Sequence, residues 1–402
     1  MLPLNGIARA TLGFDPPEPR QVLRLRAPTS RPQESADVAL AHRPDDLKAA
    51  MSSGFTRAFV VSDEADTLSH GNSFARVIHV PSKFDYLADG DILGFDPHSK
   101  RFRTLYRRSS IHNSFLVTER CNHYCLMCSQ PPRDVNDSWM LREIRAALPL
   151  VDIHTRSLGF TGGEPLLDWR DFMPVLSDCR DFLPQTAIHV LSNGRAFAST
   201  EVVAAWADIQ HPNLTVGIPI YSAVDTVHDY VVQAEGAFDE TVLGILKLKD
   251  KGQRVEVRVV LHAITAPRIV ATCRWLARNL PFVDHVALMG LENTGFAIAN
   301  DDLLWIDPID YRDALAVATE ILASAKVNIS IYNLPRCVLA KSVWSYAAQS
   351  ISDWKNDYIE ECDKCIEKPR CGGFFTTGRP HYSRAIRAIQ FGEHLDGCRQ
   401  LS

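Results

Sequence analysis

From about Asn113 to Asn300 the chain alternates short apolar runs with apolar stripes at helical spacing. The runs Phe115–Thr118, Ser157–Phe160, Ala187–Leu191, Thr215–Ile220, Val255–Leu261 and His285–Met289 read as strands. Between them, Ile144, Ala147, Leu148 and Val151 fall on one helical face, as do Phe172, Val175, Leu176 and Cys179. Ile269, Thr272, Cys273 and Leu276 make another such face, and Gly252 after a lysine-rich stretch reads as a helix stop. Six strand–helix repeats predict a parallel sheet with right-handed crossovers, either open or a partial barrel. A site should then lie at the C-terminal ends of the strands.

The pattern changes on both sides of this stretch. Before it, Val22–Leu25 reads as a strand, Ala27–Ala36 as a polar loop, and Phe55–Val61 and Ala75–Val80 as further strands. Turns at Ala88–Asp91 and Asp96–Ser99 flank Ile92–Phe95 and precede Phe102–Tyr106, so residues 1–110 predict a small β-rich module. After it, periodicity weakens and cysteines gather, as expected of loops organised by a metal. The division is therefore 1–110, a core over 111–302, and a C-terminal region over 303–402.

Composition narrows the class. At 46% apolar and 23% charged residues the chain is an ordinary globular protein, and a net charge of −5 gives no broad nucleic-acid footprint. No apolar run approaches bilayer length, and Met1 to Ala10 lacks the layout of a secretion signal, so no membrane partner and a cytoplasmic location are expected. Of ten cysteines, three fall between Cys121 and Cys128 and four between Cys337 and Cys371. Such clusters read as metal ligands rather than disulfides in a chain without an export signal.

Cys121, Cys125 and Cys128 form a C-x3-C-x2-C loop directly after the first core strand. Three thiolates on a four-iron, four-sulfur (4Fe–4S) cubane leave one iron free for a substrate group. A zinc loop, with His123 as a fourth ligand, or a set of redox thiols is the alternative. One strand later, Thr161-Gly162-Gly163-Glu164-Pro165 closes a strand and opens a helix. Two glycines let the backbone approach a ligand closely, and Glu164 offers a carboxylate to an ammonium group. Taken alone, Gly-Gly there is only a tight turn.

The two motifs, in this order and with a strand between them, resemble the radical S-adenosylmethionine (SAM) superfamily over about Asn113 to Asn300. The resemblance implies an α/β fold: a partial (β/α)6 TIM-type barrel carrying an N-terminal β-rich module and a C-terminal Fe–S extension. It implies an enzyme whose 4Fe–4S cluster, on Cys121, Cys125 and Cys128, cleaves SAM reductively to a 5′-deoxyadenosyl radical. It further implies that Gly162, Gly163 and Glu164 receive the methionine amine, that Met127 packs near the adenine, and that Ser192 contacts SAM. Pro219 stands where the family often has a SAM-contacting serine, which leaves Ser222 as the substitute. His228-Asp229 either echoes a family pattern or is a helix-start Asp beside a surface His.

Cys337, Cys362, Cys365 and Cys371 resemble the ligands of an auxiliary-cluster (SPASM/twitch-like) domain and would hold a second 4Fe–4S cluster, with structural zinc as the alternative. Cys398 reads as a free thiol or an extra ligand, and Cys179 and Cys273 as core. The run Cys125–Pro132, the tail from Ser352 and the N-terminal module are similar to the His-Xaa-Ser-system radical SAM maturases of the C type. That similarity implies a ribosomally made precursor peptide as substrate, a second radical SAM maturase as partner, and a reductant such as flavodoxin or ferredoxin. Action on a small molecule or a folded protein, or a non-enzymatic zinc scaffold, are the competing readings.

Overall fold

The computed structural model describes residues 3–14, 18–63, 74–349, 357–375 and 382–390. Residues up to 106 form an eight-stranded mixed sheet in the order β1-β8-β7-β3-β4-β5-β6-β2. Its strands are β1 (Asn5–Ile7), β2 (Ala10–Leu12), β3 (Gln21–Arg26), β4 (Asp37–Ala41), β5 (Arg57–Val61), β6 (Arg76–Val80), β7 (Ile92–Asp96) and β8 (Arg101–Tyr106). The two end strands are consecutive in the chain. β1 pairs with β8, β2 pairs with β6, and between them Ala8 N donates to Lys100 O and Arg9 N to His79 O. One extended segment thus joins both ends of the sheet and closes it into a barrel. Leu23, Leu25, Leu40, Phe59, Ile78, Phe95 and Phe102 fill its interior.

Helix α1 (Pro44–Ser52) packs outside this barrel, covering Ala39, Ala58, Val60 and Val77 with Leu47 and Ala50. Pro44 suits the first helical turn, and Asp46 accepts from the His42 and Arg43 backbone N–H groups at 3.0 and 2.9 Å. The expected β-rich module is therefore present, with β1, β2, β4 and α1 as elements the sequence pattern did not announce.

The rest is built on a seven-stranded parallel sheet in sequential order. Its strands are β9 (Asn113–Leu116), β10 (Ser157–Thr161), β11 (Ala187–Leu191), β12 (Leu214–Pro219), β13 (Arg254–Leu261), β14 (His285–Gly290) and β15 (Ile329–Tyr332). The helices are α2 (Trp139–Ala147), α3 (Trp169–Phe182), α4 (Thr200–Ala207), α5 (Asp225–Val232), α6 (Ala237–Asp250), α7 (Ile269–Asn279), α8 (Phe296–Ala299), α9 (Asp301–Leu304) and α10 (Arg312–Ser324). The sheet has one strand more than the six expected; α10 and β15 come from the stretch read as a C-terminal region. The partial TIM-type α/β architecture is as expected.

Strand β13 shows why the sheet curves around a polar interior. Val255, Val257, Val259 and Leu261 are buried beneath the helices, whereas Glu256 and Arg258 alternate onto the concave face. The outer layer is one continuous core in which Phe115, Phe160, Phe172, Val216, Ile218, Val257 and Leu288 meet helix residues such as Cys179 and Cys273. Both of those cysteines are completely buried. α6 begins after Gly236, whose N–H bonds Asp229 at 2.7 Å, and stops before Gly252, at φ +67°.

Candidate functional site

Cys121, Cys125 and Cys128 lie on the loop that leaves β9. The loop is held on both sides. Tyr124 N and Leu126 N donate to the last carbonyls of α5, Val232 O and Val231 O, at 3.2 and 2.9 Å. From the other side, Phe296 N donates to Cys128 O at 2.8 Å and Asn300 Nδ2 to Leu126 O at 2.7 Å. At the loop's entrance Asp137 accepts from Thr118 Oγ1 (2.7 Å), Glu119 N (2.6 Å) and Arg120 Nε (3.2 Å).

Burial pushes the Cys121 thiol up to about 11, with Glu164 and Cys128 adding to the shift. Burial, then the charges of Cys128 and Cys121, hold Cys125 far above the usual thiol range, and burial also raises Cys128. The three thiols therefore face a shared, poorly hydrated space in which negative charge is opposed. That donor set suits a cationic iron–sulfur centre, which would take the thiols as thiolates. Among the described residues, no three His, Cys, Asp or Glu side chains are close enough to grip one metal ion. A cubane asks less of them, since each thiolate binds a different iron.

The Gly-Gly-Glu turn is packed against this loop. Gly163 N donates to Thr118 O and Glu164 N to Arg120 O, both at 2.8 Å. A Cβ on Gly163 would lie 1.9 Å from Arg120 O, and one on Gly162, at φ +152°, 2.4 Å from Thr118 O. The glycines are thus required by the approach of one piece of backbone to another. Glu164 is buried, and burial raises its carboxyl pKa against three donors: Leu166 N (3.0 Å), Ser192 Oγ (2.8 Å) and Asn193 N (2.6 Å). Ser192 Oγ also accepts from Gly194 N at 3.0 Å, and Asn193 Nδ2 donates to Asn122 Oδ1 at 2.7 Å. Cysteine loop, Glu164 and Ser192 therefore form one hydrogen-bonded unit across the ends of β9, β10 and β11.

Two other expected residues sit differently. Met127 is buried in an apolar cluster with Tyr221, Val231, Val232, Ala297 and Leu304. Ser222 is wholly buried at the end of β12, its Oγ accepting from Val224 N at 3.0 Å in a local turn. The structure instead brings Tyr221 to the cysteines: burial raises its phenol pKa, and the charges of all three thiols and of Arg258 act on it. Its only trace in the sequence is its place just past a strand end. His228 is a buried residue inside α5, not a surface one. Its Nδ1 accepts from Tyr221 N at 3.2 Å, and Asp229 caps α6.

Inside the barrel, below the site, Glu256 is shared by three partners: His285 Nδ1 at 2.8 Å, His189 Nε2 at 3.4 Å and Arg258 Nε at 3.5 Å. His285 Nε2 continues to Ser330 Oγ at 2.9 Å. Burial opposes the Glu256 charge, but these partners outweigh it and hold the carboxyl well below its usual range.

Cys337, Cys362, Cys365 and Cys371, spread over 35 positions, line one pocket. Backbone N–H groups point at the sulfurs: Arg336 N and Gly373 N to Cys371 Sγ at 3.3 and 3.5 Å, and Ile389 N to Cys365 Sγ at 3.3 Å. N–H···S bonds of this kind stabilise thiolates and tune iron–sulfur centres. Buried Glu367, paired with Arg336 and Arg370, braces the pocket wall. Cys398 and the Ser352–Lys355 run lie outside the described residues.

Residues 115–276 match the family profile described as the radical SAM superfamily. Among solved structures, the chain is similar to Streptococcus suis SuiB bound to SAM, at 14% identity over 63% of this chain and 55% of that one, with a TM-score of 0.44. It is also similar to native anSMEcpe with bound AdoMet, at 13% identity over 68% and 91%, with a TM-score of 0.48. A third likeness is to a radical SAM methyltransferase from Sphaerobacter thermophilus, at 13% identity over 65% and 74%, with a TM-score of 0.44. The chain spans about half the length of the SuiB chains it matches. No curated protein matches it. No helix among the described residues is long and apolar enough to cross a membrane.

Proposed function

We propose that this chain is a radical SAM maturase that modifies a ribosomally made precursor peptide of the His-Xaa-Ser-repeat type in the cytoplasm. The observation that carries the reading is the hydrogen-bonded unit of cysteine loop, Gly-Gly-Glu turn and Ser192. In this reading Cys121, Cys125 and Cys128 hold a 4Fe–4S cluster. When bound, a cluster with one iron free of protein ligands supplies the electron that cleaves SAM to a 5′-deoxyadenosyl radical.

The chain's own residues bind, orient and exclude water. Glu164 uses three of about four acceptor positions on protein donors, which leaves capacity for the methionine ammonium of SAM. Ser192 orients that carboxylate, while Gly162 and Gly163 hold it against the cysteine loop. Met127 keeps the loop's inner side apolar next to the adenine, and Ser222 fixes the turn after β12. Cys337, Cys362, Cys365 and Cys371 would hold an auxiliary 4Fe–4S cluster, supported by their shared pocket and its N–H···S bonds. The peptide identity and a second maturase as partner rest on the similarity of the Cys125–Pro132 run, the tail from Ser352 and the N-terminal module; a flavodoxin or ferredoxin would supply electrons.

The test is co-expression of a neighbouring His/Ser-repeat peptide with this chain or its Cys125→Ala variant, followed by mass spectrometry. A Cys125-dependent mass change is expected, with 5′-deoxyadenosine formed by the reconstituted protein under reductant. A colourless protein that yields no deoxyadenosine would overturn the reading.

A further inference from the structure

The C-terminal ends of the seven strands carry two different halves. Above β9 to β12 stand the cysteine loop, the Gly-Gly-Glu turn, Ser192 and Tyr221. Above β13 to β15 there is a partly open pocket, with about 580 Å³ of space between its walls when the solvent at its mouth is included. Leu261, Leu291 and Leu334 bring the three strand ends into its wall. Leu291 and Leu304, also in that wall, pack in the same cluster as Cys125, Met127 and Tyr221. On the opposite side, Pro335 and Phe374 line both this cavity and the pocket of the four C-terminal cysteines. The cavity therefore lies between the two cysteine sites and shares a wall with each.

Its chemistry is selective. None of the lining residues among those described is charged, so an acidic or basic group would lose its hydration without gaining a counter-charge from them. One polar group stands out: the Tyr382 hydroxyl is buried with no hydrogen-bond partner among the described residues. The Tyr382 ring is set by Phe374, with centroids 4.9 Å apart. An orphaned buried hydroxyl is costly unless a bound group accepts from it.

We propose that this cavity seats a bulky apolar side chain, aromatic or branched, of the peptide substrate, with the carbonyl of the same residue accepting a hydrogen bond from Tyr382. The assignment rests on the peptide-maturase reading and specifies the class of residue the enzyme selects. It requires no chemistry at the cavity itself, only a fixed seat between the two cysteine sites.

The experiment is ligand-observed fluorine NMR on the full-length protein, with N-acetyl-4-fluoro-L-phenylalaninamide as probe. The wild type should bind it, N-acetyl-leucinamide should displace it, and N-acetyl-aspartic acid amide should not. Ile386→Trp, which fills the cavity, should weaken binding at least about tenfold. Tyr382→Phe should weaken it about fivefold, the scale of one lost hydrogen bond, yet leave binding of 4-fluorotoluene, which has no carbonyl, unchanged. Should Ile386→Trp fail to fold by circular dichroism, Ile306→Trp fills the same space. Equal binding by the wild type and a folded filling variant, or equal competition by the acidic analogue, overturns the assignment. Because none of these readouts needs SAM cleavage, its failure is distinguishable from that of the maturase reading. Probe binding without any deoxyadenosine would remove the maturase and keep the apolar seat, whereas a modified peptide with no cavity binding would do the reverse.

Discussion

Gly163 brings the cysteine loop and the carboxylate turn within contact because it has no side chain. A methyl group there would have to occupy the position of the Arg120 carbonyl and press on Cys121 Cβ, 3.1 Å away. Gly163→Ala should therefore displace Cys121, the first of the three proposed cluster ligands. We expect less than half the iron of the wild type after anaerobic reconstitution, together with a clear fall in Tm. Gly252→Ala is the matched control. It has open space around it and φ +67°, so it should cost only the left-handed backbone strain of about 1 kcal/mol and leave iron binding intact. Similar iron contents in the two variants would show that the contact between turn and loop does not position the ligands. The same position shows what a sequence can disclose. Gly162-Gly163 was legible as a place of close backbone approach, but the partner, a carbonyl more than 40 residues earlier, was not.

At the scale of elements, α5 is pinned to the barrel by a neutral histidine. His228 Nδ1 accepts from Tyr221 N, and its ring stands 5.7 Å from those of both Tyr221 and Phe238. Burial lowers its pKa from 6.5 to about 4. The unfolded chain takes up the proton first, so this stability is complete above pH 6.5 and is lost as pH falls towards 4, at up to about 1.4 kcal/mol per pH unit. Urea unfolding at pH 7 and pH 5 should show a larger loss for the wild type than for His228→Gln. Equal losses would mean that His228 is not the sensitive group. Because α5 carries the carbonyls that hold Tyr124 and Leu126, the cysteine loop should loosen along with it. The long amphipathic elements, α3 and β13 among them, were readable because each repeats its apolar period several times. β15 is only four residues long, and β1 and β2 three each, too few for any period to show. The four C-terminal cysteines were readable as a set. Their common pocket depends on turns without periodicity, and so appears only in three dimensions.

Across the whole molecule, the N-terminal barrel is fixed to the seven-stranded domain by a small charged cluster. Trp139 of α2 lies beneath Arg20 and Arg103, whose guanidinium carbons are 3.8 and 4.7 Å from the ring centroid. Buried Glu143, one turn later on the same helix, accepts from Arg20 Nε at 3.2 Å and Arg103 Nε at 2.6 Å. Burial lowers the Arg103 pKa, and Glu143 is the main group opposing that shift. Glu143→Ala would strip both arginines of their shared carboxylate, leaving only Arg20 paired among the described residues, with Asp96 at 3.3 Å, and should cost about 3 kcal/mol in denaturant unfolding. Glu143→Gln, which keeps one acceptor oxygen but sets an amide N–H against the other arginine, should recover only part of that loss. A loss below about 1 kcal/mol for the alanine variant would mean that apolar packing alone holds the two parts together.

The closure of that N-terminal barrel also has a consequence for synthesis. Residues 5–12 leave the ribosome well before the strands they must join, at 76–80 and 101–106. Until both have emerged, the nascent module has two unpaired margins able to zip onto any extended chain nearby. Once the ring is complete, no such margin is left. Any grip on a peptide by strand addition there would belong to the unfinished protein and vanish from the mature one.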